Sequence, residues 1–214
     1  MSRLTTLQAI EKERVIAVVR LDDAANLPAV VEALAAGGVR LIEITLTMRG
    51  ALDALARLAA AELAVVGAGS VLDAETARLA ILSGAKFVVS PLFSRRALEL
   101  CHSYDVAAVP GAYTPTEVVR AWQAGADLVK LFPAGGLGPR YLRDLREPLP
   151  GLRLVPTGGI SAENAAEFLA AGAFAVGVGG ALVERDAVAR ADFGRITERA
   201  RRLTAAVRAA SGGV

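Results

Sequence analysis

Eight times along this chain a short apolar run is followed by an alanine-rich amphipathic segment, and this alternation constrains the fold more than any other feature. The runs cover residues 15–20, 41–47, 64–70, 87–91, 106–111, 128–132, 154–157 and 174–179. Each reads as a strand buried on both faces, with enough chain after it for a covering helix. Gly38, Gly84, Gly125 and Gly172 stand where a helix should stop shortly before the next strand, a position that favours glycine because the chain turns left-handed there. Their spacings of 46, 41 and 47 residues are about two strand–helix units each. Eight such units in 214 residues predict an α/β protein made of a single (β/α)8 TIM barrel domain spanning residues 1–214. A short helix is expected before residue 15 and a final helix after about residue 186. A doubly wound open sheet is the structural rival. No glycine-rich dinucleotide fingerprint follows the first strand, where the chain reads Val19-Arg20-Leu21-Asp22-Asp23.

Composition removes several classes of function. With 24 basic against 22 acidic residues the charge is nearly balanced, so no nucleic-acid partner is expected. The arginines at 95–96 and 199–202 read as solvated helical faces. The single cysteine, Cys101, allows no internal disulfide, and with one histidine, His102, a Cys/His metal site is not expected. Residue 101 adjoins residue 102, so the two do not converge as a nucleophile and its base. No stretch of 18 or more residues is free of charges and breakers, and the N-terminus has no uninterrupted apolar segment. A cytoplasmic protein that binds no membrane is the expectation.

Two charges stand out against the apolar strands. Lys130 lies within Leu128-Val-Lys-Leu-Phe-Pro133, in a chain with just three lysines against 21 arginines. An ammonium group is costly to bury unpaired, and desolvation favours the free amine, which attacks carbonyl carbon. In the second strand Glu43, Thr45 and Thr47 share one face and Ile42, Ile44 and Leu46 the other, so the polar set should point into the barrel. In the sixth strand Lys130 and Phe132 share a face in the same sense. The residues alone allow two readings: a structural ion pair, or an amine nucleophile beside a general base.

Anion binding has candidates at the ends of the last two strands. Thr157-Gly158-Gly159-Ile160-Ser161 closes the seventh and leads into a helix expected near Ser161. Val176-Gly177-Val178-Gly179-Gly180 closes the eighth. Bare backbone amides after strands seven and eight are the usual phosphate cradle of this barrel. Ser70, after Gly67-Ala-Gly69, is placed to bond a substrate carboxylate, and 135–138 reads as a mobile lid or a tight turn.

Taken in order and spacing, Glu43-Ile-Thr-Leu46, Gly67-Ala-Gly-Ser-Val-Leu72, Val89-Ser-Pro91, Pro110-Gly111 with Thr114-Pro-Thr-Glu117, Val129-Lys-Leu-Phe-Pro-Ala134 and Pro156-Thr-Gly-Gly-Ile160 resemble the 2-keto-3-deoxy-6-phosphogluconate/4-hydroxy-2-oxoglutarate aldolase family. The resemblance runs from about Ile10 to Arg199. It implies a metal-free class I aldolase without cofactor, usually a homotrimer, that cleaves a small 2-keto acid to pyruvate and an aldehyde. By the same resemblance Lys130 matches the Schiff-base lysine and Glu43 the general acid/base. Ser70, Pro91 and Thr157 match positions lining the pyruvate end.

The chain also departs from the family. Where many members carry a carboxylate-binding arginine, it has Thr47, with Arg49 two residues on. Arg20 resembles an arginine of the related phosphogalactonate aldolases, and a phosphate-binding serine is replaced by Gly180. The substrate of the phosphogalactonate branch is thus an alternative. A non-aldolase phosphate-binding barrel, such as an epimerase or synthase, is another, and a catalytically retired barrel serving as a binding module is a third.

Overall fold

A computed structural model describes residues 1–211. Its strands are β1 (Val15–Val19), β2 (Leu41–Thr45), β3 (Val65–Gly69), β4 (Phe87–Val89), β5 (Ala107–Val109), β6 (Gly111–Ala112), β7 (Val129–Leu131), β8 (Leu154–Pro156) and β9 (Val176–Val178). All pair in parallel, in the orders β5-β4-β3-β2-β1-β9 and β6-β7-β8. Two joints close these runs into a ring. β5 continues into β6 across Pro110, whose ring nitrogen has no proton for the ladder. Its carbonyl still accepts from the Lys130 amide at 2.9 Å. On the other side Thr157 bridges to Gly177, and the Phe174 amide donates to Leu154 O at 2.8 Å. The nine strands are therefore eight staves in sequence order, the expected (β/α)8 barrel.

The helices are α1 (Arg3–Glu13), α2 (Leu27–Ala36), α3 (Ala51–Ala61), α4 (Ala74–Leu82), α5 (Arg95–Ser103), α6 (Pro115–Gln123), α7 (Gly138–Arg146), α8 (Ala165–Ala170), α9 (Arg185–Ala189) and α10 (Phe193–Ser211). The four glycines read as helix stops all have positive φ, between 90° and 98°. Alternate strand residues divide the apolar core in two. One set, with Val19, Ile42, Ile44 and Val129, packs outward against the helices. The other fills the lower barrel with Ile16, Leu41, Phe87, Val109, Leu128 and Val155, sealed from beneath by Ile10 of α1.

The strands are shorter than the sequence reading by one to three residues, and two helices differ from it. The helix after β8 starts at Ala165 rather than near Ser161. Asn164 accepts from the Ser161 amide and donates to Gly159 O, both at 2.9 Å, and this holds the segment before it as a turn. The final helix expected after about residue 186 is two helices, because the chain turns at Ala191 (φ 54°) between α9 and α10. Nor are the arginines of α10 all merely solvated: Arg199 bonds Ala181 O and Glu184, and Arg202 meets Glu163 at 3.2 Å. No helix among the described residues is long and apolar enough to cross a membrane.

Candidate active site

Polar side chains enter the barrel only above its apolar floor. Lys130 on β7 and Glu43 on β2 both point inward, with just 6% and 3% of their surfaces exposed. Their Nζ and Oε1 atoms are 3.5 Å apart. Lys130 Nζ also stands 5.2 Å from the centre of the Phe132 ring, a face that attracts a cation. Burial pushes the Glu43 carboxyl above its ordinary value, opposed by the neighbouring charges of Lys130 and Arg20. Burial thus favours the protonated form of Glu43, and the flanking charges favour the ionised one. Such a carboxyl can give a proton as well as take one.

Small neighbours make room for this pair. At Gly69, which pairs with Thr45 across β2 and β3, a Cβ would stand 2.0 Å from Glu43 Oε1. At Gly177 a Cβ would stand 2.3 Å from the Thr157 hydroxyl oxygen. That hydroxyl donates to Val155 O at 3.2 Å.

Above Lys130 opens a cavity of about 770 Å³, within the range of small-molecule sites. Lys130, Phe132 and Thr157 lie at its base, and Gly158, Gly159, Gly179 and Gly180 line one side. Gly158 and Gly159 take consecutive left-handed conformations, φ 85° and 76°, that bare the backbone of this turn. Arg20 lines the same cavity. Seven of the residues singled out in the sequence for substrate thus surround one space with Lys130.

The others stand elsewhere. Thr45 is fully buried beyond Glu43 and accepts a hydrogen bond from Thr47 at 3.2 Å. Ser70 (φ 61°) and Pro91 follow the ends of β3 and β4, and neither lines the Lys130 cavity. Thr47, beyond the end of β2, and Arg49 line a neighbouring open groove, where Arg49 meets Asp23 at 3.8 Å. Cys101 is buried and its thiol is pushed up to about 12, chiefly by burial, so it is no nucleophile near neutral pH. His102 bonds Asp127 at 3.0 Å. Among the described residues no group of three or more His, Cys, Asp and Glu side chains is placed to hold a metal.

Sequence reasoning missed Arg185. It lines both the Lys130 cavity and the outer groove, as Arg20 does. The available signal was its place just after the last strand, on the face where barrel loops build sites.

Comparison with known proteins bears on this geometry. The family described as KDPG and KHG aldolase matches residues 7–199. A 2-dehydro-3-deoxy-phosphogluconate aldolase of Treponema pallidum is 37% identical over 197 residues, 91% of this chain and 93% of that protein. Among solved structures, one described as native KDPGal superposes with a TM-score of 0.86 at 28% identity, covering 92% of this chain and 96% of the other. A KDPG aldolase of Legionella pneumophila, with pyruvate captured as a covalent carbinolamine, superposes with a TM-score of 0.85 at 27% identity. It covers 92% of this chain and 97% of its own.

Proposed function

The chain belongs to the KDPG and KHG aldolase family, and from that premise we propose that Lys130 and Glu43 carry out class I aldol cleavage of a 2-keto-3-deoxy acid. The observation that carries this assignment is the buried Lys130 amine, 3.5 Å from a buried carboxylate and open on one side to a cavity. A surface ion pair would need no such cavity, and a purely structural buried pair would gain little stability.

The free amine of Lys130 adds to the C2 ketone of the substrate, and loss of water gives a protonated imine. Glu43 takes the proton of the C4 hydroxyl. The C3–C4 bond breaks, its electrons pass into the imine to give an enamine, and an aldehyde leaves. Glu43 returns the proton to C3, and water hydrolyses the imine to release pyruvate and the amine. The electron sink is formed from lysine and substrate, so the cycle requires neither metal nor organic cofactor. Thr157 and Phe132, beside Lys130, shape the pyruvate end; Ser70 and Pro91, which the family resemblance also assigns to it, follow the ends of β3 and β4. The glycine turns and Arg20 face the distal end of the substrate, while Thr47 and Arg49 stand one groove away.

We take residues 1–214 as one domain, the last three lying outside the described residues. The trimer implied by the family finds support in the exposed Leu72, Leu79 and Leu82 on and before α4, apolar surface that an interface would cover. A small soluble metabolite is the substrate, and the cytoplasm is the expected compartment. The direct test is pyruvate release from 2-keto-3-deoxy-6-phospho acids of both C4 configurations and from 4-hydroxy-2-oxoglutarate, coupled to lactate dehydrogenase. Pyruvate from at least one, undiminished by a chelator, is the expected result. Release from none overturns the proposal.

A further inference from the structure

The nitrogen of Lys130 has a carboxylate and an aromatic ring beside it. Glu43 Oε1 stands 3.5 Å away, and Nζ lies over the Phe132 ring at 5.2 Å from its centre. A carboxylate moves protons. An aromatic face does not, but its quadrupole attracts positive charge, most strongly where water is excluded. Lys130 is buried, so this contact is largely dry.

The ring is held in place. The Phe132 amide donates to Ala112 O at 2.9 Å, which carries the ladder between β6 and β7 past the end of β7. Two residues on, the Ala134 amide donates to Thr157 O at 2.9 Å. A Cβ at Gly158 would stand 3.2 Å from Phe132 Cε2 and 3.3 Å from Cδ2, so the turn after β8 forms a wall along one edge of the ring. Leucine would give the cavity an apolar lining at this position. What the ring adds is the negative potential of its face.

On the aldolase reading above, we propose that Phe132 is a catalytic residue whose ring stabilises the cationic imine formed on Lys130. Addition of the amine to the C2 ketone gives a carbinolamine, whose nitrogen is neutral. Its lone pair then forms the C=N bond as the C–O bond breaks. The departing hydroxyl takes a proton from Glu43 and leaves as water, and the nitrogen is left positively charged over the Phe132 ring. The same event leaves Glu43 ionised, the form that accepts the C4 hydroxyl proton in the next step. When the C3–C4 bond breaks, its electrons neutralise the nitrogen. The ring therefore acts in forming the electron sink, not in the cleavage that discharges it.

The test replaces Phe132 with mono-, di- and trifluorinated phenylalanine by site-specific incorporation. Each ring keeps nearly the shape of phenylalanine while its face loses negative potential stepwise. The readout is the pyruvate concentration that gives half-maximal trapping by borohydride, which reduces the imine. That concentration should rise with each added fluorine, by about 3- to 30-fold in total, the range of a cation–π contact from exposed to desolvated sites. Phe132→Leu, which keeps an apolar wall, should show a similar rise. The same fluorinated series at Phe174, which packs on the lower barrel core beside Arg153, should leave the value unchanged. A value that does not respond to fluorination at position 132, an equal response at position 174, or a Phe132→Leu protein that traps as the parent does overturns the proposal. A parent that traps no pyruvate would instead overturn the aldolase reading on which it rests.

Discussion

Replacing Gly69 with alanine tests whether the position of the Glu43 carboxylate matters, without altering either charged residue. Gly69 is not in a left-handed conformation, so its backbone accepts alanine. The new Cβ would stand 2.0 Å from Glu43 Oε1, 2.5 Å from Cγ and 2.6 Å from Cδ. Carbon and oxygen do not approach so closely without bonding, and the carboxylate must retreat by about 1 Å or more. A displacement of about 1 Å at a reacting group costs on the order of 100-fold in rate. Crowding a packed interior costs about 1–3 kcal/mol of stability, which lowers the melting temperature by a few degrees in a chain of this size.

The expected Gly69→Ala protein is thus folded and slightly less stable, and it still forms a borohydride-trapped pyruvate adduct because Lys130 is unmoved. Its kcat for pyruvate release should fall on the order of 100-fold. Gly136→Ala is the control, since a Cβ there meets nothing within 4 Å and the backbone is not left-handed. A folded Gly69→Ala enzyme with kcat within about threefold of the parent would refute the assignment of Glu43 as the proton-transfer group.

Glu43→Gln should still trap pyruvate but lose about 10²- to 10⁴-fold in kcat, the usual contribution of a general acid/base, and normal turnover would remove Glu43 from the mechanism. Because burial raises the Glu43 carboxyl while Arg20 lowers it, the acid limb of kcat/KM should lie above the ordinary glutamate value. Arg20→Ala should move that limb to higher pH, and an unmoved limb in a pH–rate profile would contradict the coupling. The same shift links to stability with a definite sign. A carboxyl whose folded value exceeds its unfolded value of 4.5 contributes stability that is fully present below 4.5 and is lost as pH rises through the folded value. Urea unfolding over a pH series should show this decline in the parent and not in Glu43→Gln.

The catalytic pair was legible in the sequence because each member violates its surroundings: a lysine and a glutamate inside apolar strands have few places to be except facing one another across a barrel. The eight staves were legible for a related reason, since strands buried on both faces leave continuous apolar runs between glycine stops. Their ends were not, because Arg20, Thr47 and Pro91 continue the pattern of residue types after the ladder has stopped. The turn before α8 depends on the two hydrogen bonds of Asn164, which no periodicity announces. Arg185 was missed for the same kind of reason: an arginine opening a short surface helix breaks no rule of composition, and only folding shows that it shares a wall with Arg20. Thr47 lies on the expected face by alternation, but the strand ends at Thr45 and the chain carries it out to the groove.

The central claim is a covalent bond between Lys130 and pyruvate. Incubation with pyruvate and sodium borohydride, followed by intact mass and peptide mapping, measures it directly. An adduct on Lys130 in the parent, absent from Lys130→Ala, is the result expected. No adduct on the folded parent at neutral pH, or undiminished trapping in Lys130→Ala, would contradict the account.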